Sequence, residues 1–174
     1  MGDEFGTLDP AVRAVHGGRS LVLHGRADVA RGDSLGAKCL CGLARLARDQ
    51  LDSPVTVEIE TRGAREVWTR RFGASPLMRS VFTPHRGALC ERFGPAAFDF
   101  MLRAEQGAVR WRAVRARLFG IPLPASWLTA IEARVFESGG LYAFEVKVAL
   151  PRLGTVIGYR GRLELPRSRS HPVP

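Results

Sequence analysis

Lysine is nearly missing from this chain. It stands only at Lys38 and Lys147, so arginine supplies the rest of the 26 basic side chains, against 17 acidic ones and a formal net charge of +9. Cysteine is also scarce. The odd set Cys39, Cys41 and Cys90 does not make a paired disulfide framework and fits free thiols in a reducing compartment. No stretch approaches the roughly 20 apolar residues of a membrane-spanning helix. The start, Met1-Gly2-Asp3-Glu4, is acidic with no apolar run behind it, so no signal peptide is expected. Gly6 stands where a myristoylation site needs Ser or Thr. A cytoplasmic location is the expectation from these absences.

Familiar catalytic signatures are missing too. There is no G-x-S-x-G elbow, no P-loop, and no G-x-G-x-x-G opening a helix after a strand. The histidines His16, His24, His85 and His171 are scattered, and Cys39-x-Cys41 on a helix would point its thiols nearly opposite ways. Neither a metal site nor a cofactor is expected. These gaps weaken an enzymatic reading without closing it, because a lone acid or base in a cavity leaves no motif.

What is present describes an ordinary globular chain. Its 174 residues suit one domain, with 45% hydrophobic and 25% charged residues. Such a length buries enough surface to fold without a staple. The positive charge would attract nucleic acid, an anionic membrane or an acidic protein. Arginine so far in excess of lysine, beside abundant Ala, Gly and Pro, is equally what GC-rich coding produces. The arginines are spread rather than blocked, so nucleic acid is not the favoured partner.

Residues 1–7 read as a loose start. Asp9-Pro10 suits the cap and first turn of a short helix to about His16, ended by Gly17-Gly18. A strand follows over 19–30, with a bulge expected at Gly25. The strongest helix signal covers 34–50, capped by Asp33, with an apolar face at Leu35, Cys39, Leu43 and Leu46 widened by Leu40, Ala44 and Ala47. After Pro54 the period changes to two: Val55, Val57 and Ile59 alternate with Thr56, Glu58 and Glu60. Further strands are predicted at 66–73, 77–84, 88–93, 96–105, 108–118, 129–138, 141–150 and 154–165. Breaks such as Gln106-Gly107 and Gly139-Gly140 carry hairpin chemistry. The segment 120–127 reads as a packed, Pro-rich loop with one helical turn. The expectation is a mainly β (α+β) fold in one domain, 1–165, with a disordered tail over 166–174. About eight to ten antiparallel strands form a strongly curved sheet or barrel, with one helix after the first strand and a short N-terminal helix.

Several residues invite a chemical reading, each with a plainer one beside it. The strand Val109–Leu118 carries Arg110, Arg112, Arg115 and Arg117. A bulge near Ala113-Val114 would bring all four to one side, to bind an acidic head group or to pair with glutamates across the sheet. The stripes Tyr142-x-Phe144-x-Val146 and Phe98-x-Phe100 are core or pocket lining. His24 and Asp28 share a strand face but stand too far apart to touch, and Glu58 with Glu60 reads as the wet side of a strand. The candidate ligand-binding set is His24, Trp68, Phe100, Trp111, Arg115, Phe144, Tyr159 and Arg160. No catalytic residue is assigned.

Several segments in order resemble one family. They are Val12 to Gly17, Gly25-Arg26-Ala27-Asp28-Val29, Val67 to Phe72 (Val-Trp-Thr-Arg-Arg-Phe), Glu91-Arg92-Phe93-Gly94-Pro95, Leu118 to Pro124 (Leu-Phe-Gly-Ile-Pro-Leu-Pro) and Tyr159-Arg160-Gly161. Over residues 8–165 the chain resembles the bacterial domain-of-unknown-function family numbered 4166. The resemblance implies no catalytic residue. It implies an association, since members stand alone or follow a reductase-like domain similar to saccharopine dehydrogenase; here such a partner would act in trans. Three readings follow. The first is a module binding a small hydrophobic or acidic, lipid-like ligand in a barrel cavity. The second is an enzyme or enzyme accessory beside a dinucleotide-dependent reductase, drawing on His24, Asp28, Glu58, Tyr159 and Arg160. The third is a basic module for nucleic acid or an anionic membrane, using Trp68, Trp111 and Trp127.

Overall fold

Period-two patterning with short turns leaves each strand paired to its neighbours in sequence, and a meander of this length has to curl. A computed structural model describes residues 3–166 and shows where the curling ends. The strands are β1 (Leu21–Arg31), β2 (Gln50–Arg62), β3 (Arg65–Phe72), β4 (Met78–His85), β5 (Ala88–Phe93), β6 (Ala96–Glu105), β7 (Ala108–Leu118), the two-residue β8 (Ile121–Pro122), β9 (Ile131–Ser138), β10 (Leu141–Leu150) and β11 (Gly154–Glu164). Apart from β8, which pairs only with β7, each pairs antiparallel with the next long strand, and β11 pairs back onto β1 from His24↔Glu164 to Arg31↔Ile157. With β7 joined to both β6 and β9, the ten long strands close a barrel and β8 stands aside as a flap.

The turns explain the tight meander. Gln106 and Gly107 both have positive φ, as do Gly139 and Gly140, the combination a two-residue hairpin needs to follow the twist of its strands. Gly25 does not mark a bulge. The β1–β2 register shifts between Ala27 and Val29 instead, and Gly25 sits where a Cβ would run into the Arg162 carbonyl at the β1–β11 seam. A second shift, between Asp99 and Phe100 on β6, leaves Val114 of β7 without a partner. That bulge turns Arg110, Arg112, Arg115 and Arg117 all outward.

Helices close the two ends. One end is covered by α1 (Pro10–Val15), whose Ala11, Val12 and Val15 are buried, and a 3-10 turn spans Asp3–Thr7 where a loose start was expected. The other end is covered by α2 (Leu35–Leu43), packed on β11 and β1. This helix is shorter than the 34–50 span its sequence suggests, and Ser34 caps it in place of Asp33, with Ser34 Oγ accepting from the Ala37 amide at 3.2 Å. Arg45 takes a left-handed φ of 51°, and the guanidinium of Arg31 then binds the carbonyls of Leu46 and Ala47, the latter at 2.6 Å. The helix has already ended there, in a cap where the Leu46 amide donates to the Cys41 carbonyl at 2.9 Å and the Arg45 amide to that of Gly42 at 3.1 Å. The chain extends into β2 from Gln50, with Pro54 inside the strand. The buried side also has a different phase from the expected Leu35–Cys39–Leu43 face. Ala37 and Cys41 are buried with Leu40 and Ala44 beside them, while Leu35 is 83% exposed.

The loop after β7 forms the flap β8 and a 3-10 turn at Ala125–Trp127. The tail expected from 166 onward lies, apart from exposed Pro166, outside the described residues.

Candidate functional site

Strand alternation sends one face of every strand into the barrel. On β3 the inward residues are Trp68, Arg70 and Phe72; on β4, Met78, Ser80 and Phe82; on β5, Glu91 and Phe93. Opposite them stand Tyr142, Phe144 and Val146 of β10 and Tyr159 of β11. These side chains do not fill the interior. A cavity of about 230 Å³ remains, and its walls are almost wholly apolar and aromatic. It is smaller than the roughly 300–1,000 Å³ typical of sites for drug-sized ligands.

The cavity lies toward the α2 end. Leu40, Ala44 and Leu46 from α2 and the chain after it line it, together with Leu118 and Leu123 from either side of the flap. At this end the wall is loosened, because β7 pairs with β9 only from Val109 to Arg112. Farther along, β7 turns to β8, pairing Arg117↔Pro122 and Leu118↔Ile121. Phe119 and Ile121 on this flap are 62% and 68% exposed, an apolar rim beside the loosened edge.

The other end is a closed aromatic floor. The His16 ring lies 5.8 Å from Trp68, 6.1 Å from Trp111 and 5.8 Å from Tyr142, and its Nε2 meets the Tyr142 hydroxyl at 3.1 Å. Burial lowers the His16 pKa to about 4, so the ring is neutral near pH 7, and burial likewise raises that of Tyr142.

One polar cluster interrupts the apolar wall. The Arg70 guanidinium donates to Ser80 Oγ at 2.9 Å, to Glu91 Oε1 at 3.3 Å and to the Tyr159 hydroxyl at 3.3 Å. Ser80 in turn donates to Glu91 Oε1 in a short bond. The guanidinium carbon also lies 5.9 Å from the Trp68 ring centre and 6.0 Å from that of Phe82, within reach of cation–π attraction. Burial opposes the charge on Arg70, but Tyr159 and Glu91 outweigh it, and its pKa is raised. The Tyr159 pKa is raised as well, chiefly by burial, with Arg70 pulling the other way. One further polar atom stands out: Trp111 Nε1 is a buried donor with no partner, on a side chain that lines the cavity.

The candidate set from the sequence divides cleanly in space. Trp68, Phe100, Trp111, Phe144 and Tyr159 face the cavity. His24, Arg115 and Arg160 are outside the barrel: His24 meets Thr56 Oγ1 at 3.3 Å, Arg115 pairs with Asp99 at 2.9 Å, and Arg160 pairs with Asp28 at 3.2 Å. The Asp28 pKa is lowered by the Asp52 amide and then by Arg160. Asp28 and Arg160, with the Arg26–Asp52 pair at 2.6 Å, line an open hollow on the outer wall over β1, β10 and β11. Exposed pairs of that kind contribute little. Of the residues weighed for acid–base work, only Tyr159 reaches the interior. His24 and Glu58 are exposed, and the Asp28–Arg160 pair is external. Trp127 is half-buried beside the flap.

Sequence reading missed Arg70, Ser80 and Glu91. A signal for them existed: each alternates with large apolar residues, in Trp68-x-Arg70-x-Phe72, Met78-x-Ser80-x-Phe82 and Leu89-x-Glu91-x-Phe93. A polar residue in phase with an aromatic stripe is a polar residue facing the core. Arg70, Glu91 and Tyr159 also fall within the segments that carry the family resemblance.

Among the described residues no group of three or more His, Cys, Asp or Glu is placed to hold a metal ion, and no helix is long and apolar enough to cross a membrane. In comparisons with known proteins, the family described as "Domain of unknown function (DUF4166)" matches residues 8–163. No curated protein matches the chain.

Proposed function

Because the chain belongs to the DUF4166 family, whose description assigns no chemistry, we propose a function from the barrel interior: the protein binds one small, largely apolar organic molecule between its strands. The carrying observation is a cavity of about 230 Å³ walled by aromatic and aliphatic side chains, with one buried polar cluster at Arg70. A purely structural core of this size would close on itself, since empty apolar volume destabilises at about 24 cal/mol per Å³. A ligand that fills the space recovers that energy. The loosened β7–β9 edge beneath the flap is the way in, and the aromatic floor with His16 is the stop.

Trp68 and Trp111 line the cavity, so occupancy is readable in tryptophan emission. Titration with 1-decanol, 2-decanone and decanoate should give saturable changes for at least one probe. Native mass spectrometry of the freshly purified protein should show a small companion mass that is released on unfolding. Val146→Phe, which pushes a ring into the cavity at a cost of about 1–3 kcal/mol, should abolish the response while thermal unfolding stays cooperative. No companion mass together with no saturable response to any of the three probes would refute the reading.

A further inference from the structure

We propose that the ligand's polar end is an uncharged oxygen acceptor, a carbonyl or hydroxyl oxygen on an apolar body, and that Tyr159 donates to it. This rests on reading the cavity as a binding site, and it departs from the first expectation of Arg70-like chemistry in such a site, which is an acid bound by an arginine.

The charge balance decides the point. Arg70 and Glu91 are 11% and 15% exposed and pair at 3.3 Å, so the cluster is already neutral. The remaining contacts of Arg70 go to Ser80 and Tyr159, and the Trp68 and Phe82 rings lie close to its guanidinium. The two other charged residues along the cavity, Arg117 and Glu132, are exposed at its mouth and of opposite sign. A carboxylate entering this space would be an uncompensated buried charge next to Glu91, which low-dielectric surroundings penalise severely.

The hydrogen-bond balance points to what is wanted. The Tyr159 oxygen accepts from Arg70, and no described hydrogen bond takes up its own hydrogen. Trp111 Nε1–H, on a side chain 8% exposed, has no acceptor either. Tyr159 thus brings to the cavity wall a hydroxyl hydrogen that no described protein acceptor takes, and a ligand oxygen satisfies what the protein leaves open. The Arg70 contact polarises the Tyr159 hydroxyl and strengthens its donation. A neutral oxygen gains this bond and brings no charge.

The test compares 2-decanone with decanoate at pH 8, read by tryptophan emission and by calorimetry. The wild-type protein should bind 2-decanone at least about tenfold more tightly. Tyr159→Phe should weaken 2-decanone about tenfold, while thermal unfolding stays cooperative at a somewhat lower temperature because Arg70 loses one acceptor. Glu91→Gln removes the compensating charge and should reverse the order, so that decanoate binds better than 2-decanone. Where Glu91→Gln fails to fold, the wild-type ratio and Tyr159→Phe still decide. Decanoate binding as tightly as 2-decanone, or Tyr159→Phe binding 2-decanone unchanged, overturns this inference and leaves the binding function standing. Failure of every probe to bind overturns this inference, and the same failure with no companion mass overturns both.

Discussion

Glu91→Ala is the perturbation that best exposes the energetics of this interior. It removes one half of an ion pair whose members are 11% and 15% exposed, and strands the guanidinium of Arg70 inside the barrel. At 3.3 Å and an effective dielectric near 20, the lost attraction is about 5 kcal/mol. Measured losses for one partner of a buried pair run at roughly 3–5 kcal/mol. Ser80 and Tyr159 still accept from Arg70 and the cavity can admit water, so the lower end, about 3 kcal/mol, is expected. For a chain of this length that lowers the unfolding temperature by about 6–12 °C. Replacing both partners, as Arg70→Met with Glu91→Leu, removes the stranded charge and should return stability to within about 1 kcal/mol of wild type. The assay is urea unfolding of wild type, Glu91→Ala, Arg70→Met, Glu91→Leu and the Arg70→Met/Glu91→Leu double variant, followed by tryptophan emission, with the coupling taken from the last three. The expected coupling energy is at least about 2 kcal/mol. Single-variant losses that simply add, to within about 0.5 kcal/mol, would refute the argument that the two charges are enclosed together.

Two further outcomes follow from other parts of the barrel. Burial lowers His16 from 6.5 to about 4, so the unfolded chain takes up a proton that the folded one refuses, and stability falls as pH drops from 6.5 toward 4. Between pH 7.5 and pH 4.5 this one residue should cost about 2–3 kcal/mol in urea unfolding, and His16→Gln should remove that part of the slope; an unchanged slope would show that His16 is not the group responsible. A Cβ at Gly161 would stand 2.5 Å from the Arg26 carbonyl oxygen and 2.7 Å from both Ala27 Cβ and Phe144 Cζ. Gly161→Ala should therefore cost at least about 1–3 kcal/mol by prising β11 from β1, where the barrel closes, and a stability equal to wild type would place the seam elsewhere.

The strands were legible because their information is local. Alternation and turn residues located all ten barrel strands to within a few residues of their observed limits, except for the start of β2. The bulge that carries Arg110 to Arg117 outward was legible for the same reason: four arginines shared between two parities conflict with a single wet face. The length of α2 was not local information. Leu43, Leu46 and Ala47 continue a helical spacing, but the helix ends in a cap built on the left-handed Arg45, where no glycine marks it, and Arg31 from another element then holds the Leu46 and Ala47 carbonyls beyond that end. The helix's phase depended on its neighbours as well. Ala37 and Cys41 face β11 and β1 because small residues allow close approach there, and the larger Leu35 is left outside.

By itself, then, the sequence determined which residues alternate, where the chain turns, and that a meander this long must curl. Each strand came with two possible interiors, and nothing local chooses between them. Closure of β11 onto β1 made the choice for every strand together, because one wall sets the inward side of the next through hydrogen-bonded register. That step turned Trp68, Phe100, Trp111, Phe144 and Tyr159 inward and His24, Arg115 and Arg160 outward. It also brought Arg70, Ser80 and Glu91, from three consecutive strands, onto the hydroxyl of Tyr159, 89 residues from Arg70 along the chain. A charge buried on one strand requires its counter-charge from another, and only the closed tertiary structure decides whether the two meet.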